Sequence, residues 1–228
     1  MPVYLDSAVL AEVEEADKLG FVAGVTTNPT LVRRAAEANR ARGLTSREAV
    51  YQAILAATAG TGGLVFAQVR RGSLEEMAAE AAALRRLDPA RLGIKIPCTV
   101  DGLKLARTLA AEGATTLVTA VYTPAQAYLA AEAGATFIAP YVHRWEAAHR
   151  RPGAEFVAVL RRALDAAGGR TGILAASLKS VEAAVDALLA GAGSVTVPLA
   201  VLRDFPLHPL TDQALAQFDA DYDGENER

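Results

Sequence analysis

The sequence predicts an α/β protein built as a single (β/α)₈ barrel, a TIM barrel, with an extra C-terminal helix. Eight short segments rich in apolar residues alternate with longer segments of helical period. The short segments are apolar at nearly every position, which is typical of parallel strands buried on both faces. Eight strand–helix units in about 210 residues fit the lower end of the size range of such barrels.

The elements follow from these periods and from residues that start or stop helices. The predicted strands are Val3–Asp6, Val22–Thr26, Leu64–Val69, Gly93–Pro97, Thr115–Ala120, Thr136–Tyr141, Gly172–Ala176 and Ser194–Val197. The predicted helices are Ala8–Leu19, Leu31–Arg42, Ser46–Thr58, Leu74–Leu87, Val100–Glu112, Pro124–Ala133, Ala154–Ala167 and Val181–Ala190. Ser73 is a favoured N-cap and Pro124 suits a first helical position. Gly113, Gly134 and Gly191 stand where helices should end.

A doubly wound open sheet is the alternative fold. It normally carries a glycine-rich phosphate loop after a strand, whereas Gly60–Gly63 and Gly191–Gly193 precede strands and match no such motif. We therefore expect one barrel over residues 1–207. Residues 208–228 are expected to form a C-terminal helix over Thr211–Ala220, followed by a frayed acidic tail over Ala220–Arg228.

Composition excludes several classes of protein. Apolar residues make up 52% and charged residues 21%, as in ordinary globular domains, and the net charge of −3 gives no indication of a nucleic-acid partner. Cys98 is the single cysteine, which favours a reducing compartment. The sequence contains no membrane-length apolar run, no signal-peptide pattern and no metal-binding motif. We expect a cytoplasmic protein that binds no membrane and no metal.

Polar side chains occur near the C-terminal ends of almost all predicted strands, which is where barrels carry their functional residues. They are Asp6, Thr26, Asn28, Gln68, Lys95, Thr119, Tyr141, Arg144, Ser177 and Lys179. A barrel selected only for stability does not need such a ring of polar groups. The sequence therefore predicts an active or binding site at this end.

Lys95 is the strongest candidate in this ring. Strand alternation directs Ile94 and Ile96 toward the helices and Lys95 into the barrel. Burial lowers the pKa of a lysine amine, and a neutral amine is the nucleophile that forms Schiff bases. The alternative is a structural ion pair of Lys95 with Asp6. The chain has only three other lysines, and Lys18, Lys104 and Lys179 are expected at helix surfaces or ends.

Asp6 either pairs with the lysine and carries protons or caps the following helix, and Asn28 is likewise a binding residue or a helix cap. Gln68, Thr119 and Tyr141 together could hold one water molecule as the proton carrier, since no histidine is expected within reach.

Arg144, Ser177 and Lys179 form a second group. The segment from 175 to 179 is expected to place a hydroxyl and backbone N–H groups at a helix start, which suits an anion, and Arg144 adds a fork of donors. The alternative is that Ser177 is only an N-cap. The segment His143–Gly153 is expected to be a solvated basic loop.

Several segments resemble the transaldolase family, in particular its short-chain branch, which includes fructose-6-phosphate aldolases. The resemblance covers nearly the whole chain and rests on YLDSA (4–8), GVTTNPTL (24–31), FAQV (66–69), GIKIPCTVDGLKL (93–105), TAVYTPAQA (119–127), GATFIAPYVHR (134–144), ILAASLKS (173–180) and VTVPLAVL (195–202). It implies a barrel and a Schiff-base mechanism without a cofactor.

The resemblance also implies roles for the ring residues. Lys95 would form the Schiff base, and Asp6 would assist proton transfer. Gln68, Thr119 and Tyr141 would position the catalytic water. Asn28, with Thr26 beside it, would bind substrate hydroxyls, and Arg144 with the segment from Ser177 to Lys179 would bind a phosphate. The implied ligand is a sugar phosphate. The implied assembly is a homo-oligomer, a pentamer or decamer, in which the helix over Thr211–Ala220 would pack on a neighbouring subunit.

Two positions bear on which reaction is catalysed. Family transaldolases usually carry Glu at the position of Gln68 and Phe at that of Tyr141, whereas fructose-6-phosphate aldolases resemble this chain at both. This favours cleavage of fructose 6-phosphate into dihydroxyacetone and glyceraldehyde 3-phosphate. The segment HPLTDQALAQF (208–218) instead resembles the short transaldolases, which transfer the dihydroxyacetone unit between sugar phosphates in the pentose phosphate pathway. Cys98, His143 and Trp145 depart from the family pattern.

Overall fold

The computed structural model describes residues 2–226 and contains a closed barrel of eight parallel strands that follow one another in chain order. This confirms the predicted fold class and rules out the open sheet. The strands are β1 (Val3–Asp6), β2 (Val22–Thr26), β3 (Leu64–Gln68), β4 (Leu92–Pro97), β5 (Thr116–Val121), β6 (Phe137–Pro140), β7 (Gly172–Ala175) and β8 (Ser194–Val197).

Twelve helices surround the barrel or extend from it within the described residues. They are α1 (Leu10–Lys18), α2 (Pro29–Arg34), α3 (Ala36–Arg40), α4 (Arg47–Ala57), α5 (Leu74–Arg85), α6 (Val100–Ala111), α7 (Pro124–Glu132), α8 (Val142–His149), α9 (Gly153–Ala166), α10 (Val181–Leu189), α11 (Leu199–Asp204) and α12 (Pro209–Asn226). The predicted cap at Ser73 is confirmed as a capping box with Glu76, and Pro124 opens α7.

The barrel interior is filled by one apolar layer. Tyr4, Phe66, Leu117, Ala139 and Leu174 belong to one buried cluster that is separate from the core between strands and helices. Gly93 belongs to the same level, because a Cβ built on it would lie 2.6 Å from the Phe66 ring. A larger residue at this position would therefore displace the ring that fills the barrel.

The polar ring lies one inward-facing position above this layer. Two residues beyond Tyr4, Phe66, Gly93, Leu117 and Ala139 come Asp6, Gln68, Lys95, Thr119 and Tyr141 respectively. Register brings Gln68 opposite Lys95 on neighbouring strands, and Asp6 opposite Thr26. The period of two therefore places the polar side chains at one end of the barrel.

Four helical regions differ from the prediction, and the first follows β2. The single helix expected over Leu31–Arg42 starts at Pro29 and is interrupted at Ala35. In the second piece Asn39 is buried, and its side chain donates to Ala8 O at 2.8 Å and accepts from Leu10 N at 3.1 Å. This side chain thus caps the start of α1, which explains why the chain turns.

The basic loop expected over His143–Gly153 is wrong for its first part, which is helix α8. The helix forms because Val142 and Trp145 lie on one buried face, and Trp145 stacks on Phe156 of α9 at 4.6 Å between ring centroids. The short helix α11 was not predicted either.

The C-terminal helix is present, but it continues to Asn226, past Ala220 where fraying was expected. No proline interrupts this stretch, and Gln217 donates a hydrogen bond to Asp221 one turn later at 2.9 Å. Every side chain from Pro209 to Tyr222 is exposed. Across residues 2–226, no helix is both long enough and apolar enough to span a bilayer.

Candidate active site

A cavity of about 330 Å³ opens at the C-terminal ends of the strands and contains most of the predicted site residues. It is lined by Asp6, Asn28, Pro29, Thr30, Leu31, Arg34, Gln68, Lys95, Tyr141, Arg144, Ala176, Ser177 and Lys179. A larger cleft of about 540 Å³ lies between α4 and α5 and contains none of the predicted residues. The smaller cavity is the candidate site because the only buried lysine of the described chain reaches it.

Lys95 has 1% of its surface exposed, and its Nζ donates a hydrogen bond to the backbone carbonyl of Thr27 at 3.0 Å. Burial lowers the pKa of the Lys95 amine, and the negative charge of Asp6 acts in the opposite direction. Within the described residues, Lys95 and Asp6 do not approach within the 4.0 Å of an ion pair. Burial therefore favours the neutral, nucleophilic form of the amine, and Lys95 forms no direct ion pair with Asp6.

Asp6 is held by a chain of hydroxyl groups. Its Oδ1 accepts a hydrogen bond from Thr26 Oγ1 at 2.8 Å, and Thr26 lies 2.8 Å from Thr196 Oγ1. Because Thr26 uses its one proton toward Asp6, Thr196 must donate to Thr26. The alternative that Asp6 caps α1 is wrong, since Val9 occupies the N-cap and the first turn is capped by Asn39, whereas Asp6 accepts from Thr26.

Thr26 itself is fully buried and does not line the cavity, so its predicted contact with substrate is replaced by a contact with Asp6. Asn28 combines both of its expected roles. Its Oδ1 caps α2 by accepting from Leu31 N at 3.0 Å, and the residue also lines the cavity. The cap fixes the side chain, which leaves the amide Nδ2 as its donor for a ligand.

Two of the three residues predicted to hold a water, Gln68 and Tyr141, line the cavity, and the third, Thr119, contacts Tyr141. Gln68 Oε1 is buried and has no hydrogen-bond partner among residues 2–226. Thr119 Oγ1 donates to Tyr141 OH at 3.3 Å, and Thr119 is buried behind the tyrosine. An unpartnered buried acceptor is costly unless a ligand or water satisfies it. This arrangement suits a bound hydroxyl or water between Gln68 and Tyr141.

The anion group differs in detail from the prediction. Ser180, not Ser177, is the N-cap of α10, and Ser177 adopts a left-handed backbone with φ of 62°. Such a conformation strains a non-glycine residue and often marks a functional site. It places Ser177 on the cavity wall beside Lys179, and both Lys179 and Arg144 line the cavity while remaining solvent-exposed.

Arg144 also packs on the site's tyrosine, with its guanidinium carbon 5.0 Å from the centre of the Tyr141 ring. The three positions that depart from the family pattern do not line the cavity. Trp145 is a core residue between α8 and α9, and His143 is exposed, 3.8 Å from Glu146. Burial raises the pKa of the half-buried Cys98 thiol, which keeps it unreactive.

Four residues that line the cavity or contact its predicted residues were missed by the sequence reasoning. They are Arg34 on the cavity wall, Thr196 behind Asp6, and Thr27 and Tyr51 behind Lys95. Thr27 lies within the GVTTNPTL segment (24–31) and Arg34 follows it by three residues, so proximity to a motif was the available signal for those two. Tyr51 lies on a helix with no motif, and nothing in the sequence singled it out.

Apart from the Lys95 amine, the lining residues give the cavity one carboxylate, from Asp6, against three cationic side chains: Arg34, Arg144 and Lys179. Such a site attracts an anion. A buried amine, a nearby carboxylate and a surrounding cationic wall together define a barrel that can form a Schiff base with an anionic carbonyl compound.

Comparisons with known proteins place this site in a family. The family model described as transaldolase/fructose-6-phosphate aldolase matches residues 3–227. A probable transaldolase of Alkaliphilus metalliredigens (strain QYMF) is 37% identical over 224 residues, covering 98% of this chain and 99% of the relative. A probable transaldolase of Brucella ovis (strain ATCC 25840 / 63/290 / NCTC 10512) is 37% identical over 222 residues, covering 97% and 96% respectively.

The chain therefore belongs to the transaldolase/fructose-6-phosphate aldolase family, and it is an enzyme of the Schiff-base aldolase and transferase class that acts in sugar metabolism. A solved structure titled "Native KDPGal structure" superimposes with a TM-score of 0.61 at 16% identity, covering 86% of this chain and 82% of that one. This similarity concerns the fold alone.

Proposed function

We propose that this enzyme is a transaldolase, which transfers a three-carbon dihydroxyacetone unit from a ketose phosphate to an aldose phosphate. The observation that carries the proposal is the buried Lys95 amine, with its lowered pKa, in an otherwise cationic cavity. The names of the most similar relatives support transfer over simple cleavage. This proposal differs from the sequence analysis, in which Gln68 and Tyr141 favour cleavage of fructose 6-phosphate.

The reaction begins when the neutral Lys95 amine attacks the C2 carbonyl of the donor sugar. The carbonyl oxygen takes up protons and leaves as water, which gives an iminium with one N–H. Asp6 then accepts the proton of the C4 hydroxyl while the C3–C4 bond breaks, and the electron pair moves into the iminium to form an enamine. The aldose phosphate leaves, an acceptor aldose enters, and the same steps run in reverse.

The remaining residues bind the substrate and the water. Arg144, Ser177 and Lys179 hold the phosphate, since they supply two cations and a hydroxyl on one side of the cavity. Asn28 donates its Nδ2 to a sugar hydroxyl. Gln68 and Tyr141, with Thr119 behind them, hold the water through which the carbonyl oxygen is protonated and released. A sugar phosphate matches the charge of this wall.

Borohydride trapping tests the first step. With fructose 6-phosphate as donor, the wild-type enzyme should gain the mass of a reduced three-carbon unit on the peptide that contains Lys95. Lys95→Met should lose the adduct, and Lys104→Met, an exposed lysine paired with Asp101, should retain it. An adduct on Lys95→Met at the wild-type rate contradicts the proposed mechanism.

Cleavage of fructose 6-phosphate to free dihydroxyacetone is the second candidate, and Gln68 and Tyr141 favour it. The two activities separate when fructose 6-phosphate turnover is measured with and without erythrose 4-phosphate. Transaldolase predicts strict dependence on this acceptor, whereas release of dihydroxyacetone without it favours the aldolase. Gln68→Glu combined with Tyr141→Phe should shift the ratio of the two activities toward transfer.

A further inference from the structure

Behind the lysine, a directed chain of hydrogen bonds runs from helix α4 through the side chain of Thr27, the residue whose backbone carbonyl accepts from the Lys95 amine. Thr27 Oγ1 donates to the carbonyl of Phe66 at 2.9 Å, and Tyr51 OH lies 3.1 Å from the same Thr27 oxygen. A carbonyl cannot donate, so the single proton of Thr27 is used toward Phe66 and Tyr51 must be the donor to Thr27. The chain therefore has one direction, from Tyr51 through Thr27 to Phe66.

Contacts hold the backbone on both sides of the Thr27 carbonyl: the N–H and hydroxyl of Thr27 are bonded to Phe66, and Asn28, which follows, is held as the N-cap of α2. The N–H of Thr27 donates to the Phe66 carbonyl at 3.0 Å, and Thr27 and Tyr51 are almost fully buried. With its N–H and hydroxyl held, the Thr27 carbonyl has little freedom to turn, and it accepts the hydrogen bond of Lys95 Nζ at 3.0 Å. Lys95 lines the cavity, whereas Thr27 and Tyr51 do not.

We infer that Thr27 is a positioning residue whose backbone carbonyl accepts the single N–H of the lysine iminium, and that the Tyr51 hydroxyl holds this carbonyl in place. The inference rests on the proposed Schiff-base function. The neutral amine has two N–H groups and one lone pair. With one N–H directed to Thr27, rotation about the last side-chain bond is restricted, so the lone pair points in a limited set of directions.

The same carbonyl remains useful after the covalent step. The lone pair forms the C–N bond to C2, one amine proton and one external proton leave with the carbonyl oxygen as water, and a positively charged nitrogen with one N–H remains. A hydrogen bond from a charged donor is stronger than a neutral one. The Thr27 carbonyl therefore stabilises the iminium and sets the orientation of its plane. The C3–C4 bond must stand roughly perpendicular to that plane to break, because its electron pair enters the π system of the iminium.

Helix α4 also restrains the neighbouring strand. Arg47, one turn before Tyr51, lies with its guanidinium 5.5 Å from the Tyr51 ring centre and donates to the backbone carbonyl of Gln68. It is paired with Glu80 of α5. One helix thus supports both the lysine and the strand end that carries the unpartnered Gln68 amide.

Single-hydroxyl variants test this role. Tyr51→Phe and Thr27→Val each remove one oxygen and keep the shape of the side chain, while Thr27→Ser keeps the hydroxyl. Tyr4→Phe is the matched control, because Tyr4 is equally buried (4% exposed) but lies in the apolar layer below the site. For each variant, the borohydride trapping rate with fructose 6-phosphate, kcat, KM and Tm are measured.

We expect Tyr51→Phe and Thr27→Val to lower the trapping rate and kcat on the order of tenfold with little change in KM, since small misplacements of a reacting group reduce the rate more than binding. Thr27→Ser should recover most of what Thr27→Val loses. The double variant should be no slower than either single one, because both remove the same chain of hydrogen bonds.

Three results would overturn the inference. The first is trapping at the wild-type rate in Tyr51→Phe. The second is an equal loss of trapping rate in Thr27→Ser and Thr27→Val. The third is a loss of trapping rate in the control Tyr4→Phe as large as in Tyr51→Phe, with the rate falling in proportion to Tm in both variants. If the wild-type enzyme forms no adduct, the proposed function fails together with the inference; if it does and Tyr51→Phe is unaffected, only the inference fails. If Tyr51→Phe does not fold, the two Thr27 variants decide the question.

Discussion

At the scale of single residues, Lys95 carries an energetic conflict. Burial disfavours its charged form, and its one hydrogen bond goes to the uncharged carbonyl of Thr27. Such a position is unfavourable for stability and favourable for a nucleophile, which is the usual trade-off at an active site. The cost should be visible as a dependence of stability on pH.

We expect Lys95→Met to be more stable than the wild type at about pH 7, by about 1–4 kcal/mol, as apolar replacements of buried charges often are. The pKa of Lys95 in the folded protein is lower than its ordinary value of 10.5. Between those two values the unfolded chain binds a proton that the folded protein releases, so wild-type stability rises with pH. The difference from Lys95→Met should therefore shrink toward about pH 10.

Urea unfolding of both proteins at the two pH values measures this difference. Lys104→Met is the control, since Lys104 is exposed and its pKa is raised by Asp101. A difference between wild type and Lys95→Met that stays constant or widens with rising pH contradicts the expectation.

At the scale of elements, α2, α8 and the loop before α10 contribute to the cavity in the same way. These three segments follow β2, β6 and β7, and each carries one cation to the cavity: Arg34, Arg144 and Lys179. Among the described residues, none of the three is paired with a carboxylate within 4.0 Å, so their charges remain available to a phosphate.

Arg34→Gln should raise KM for a phosphorylated donor by about tenfold, the lower end of what a charge-assisted hydrogen bond contributes, because the residue is exposed. kcat should change little. Arg33→Gln is the matched control, since Arg33 is the adjacent exposed arginine of the same helix and does not line the cavity. Steady-state kinetics with fructose 6-phosphate and with unphosphorylated fructose distinguishes the cases; an equal change for both sugars contradicts a phosphate contact.

At the scale of the whole molecule, the apolar side chains of α12 are not buried against the barrel of the same chain. Leu210, Leu215, Phe218 and Tyr222 are each more than half exposed on this helix. An amphipathic helix that buries nothing within its own chain is typical of one that packs elsewhere. This supports the homo-oligomer implied by the family resemblance.

We expect the enzyme to sediment as an oligomer and Leu215→Glu combined with Phe218→Glu to shift it to smaller species, because a charge in an apolar interface is costly. Gln213→Glu adds a charge at a polar position of the same helix and should leave the sedimentation unchanged. Analytical ultracentrifugation measures both. A wild-type protein that sediments as a monomer, or variants that sediment like it, would remove α12 from the interface.

The barrel, the order of its strands and the catalytic lysine candidate could all be predicted from the sequence. This was possible because strand alternation has a period of two, so Asp6, Gln68, Lys95, Thr119 and Tyr141 each follow an apolar inward position by two residues. The same reasoning failed at α8, where the buried face depends on Phe156 of another helix, and at Ser177, whose backbone conformation no side-chain pattern announces.

The contacts between these groups could be seen only in the folded structure. The carbonyl of Thr27 at Lys95, the hydroxyl of Tyr51 behind it, Thr196 behind Asp6 and Arg34 on the cavity wall are contacts between residues far apart in the chain or through the backbone. Barrel closure and strand register bring them together, and a backbone carbonyl carries no residue identity. The sequence gives the chemical identity of each side chain, whereas the closed sheet sets the orientation of each side chain and its neighbours.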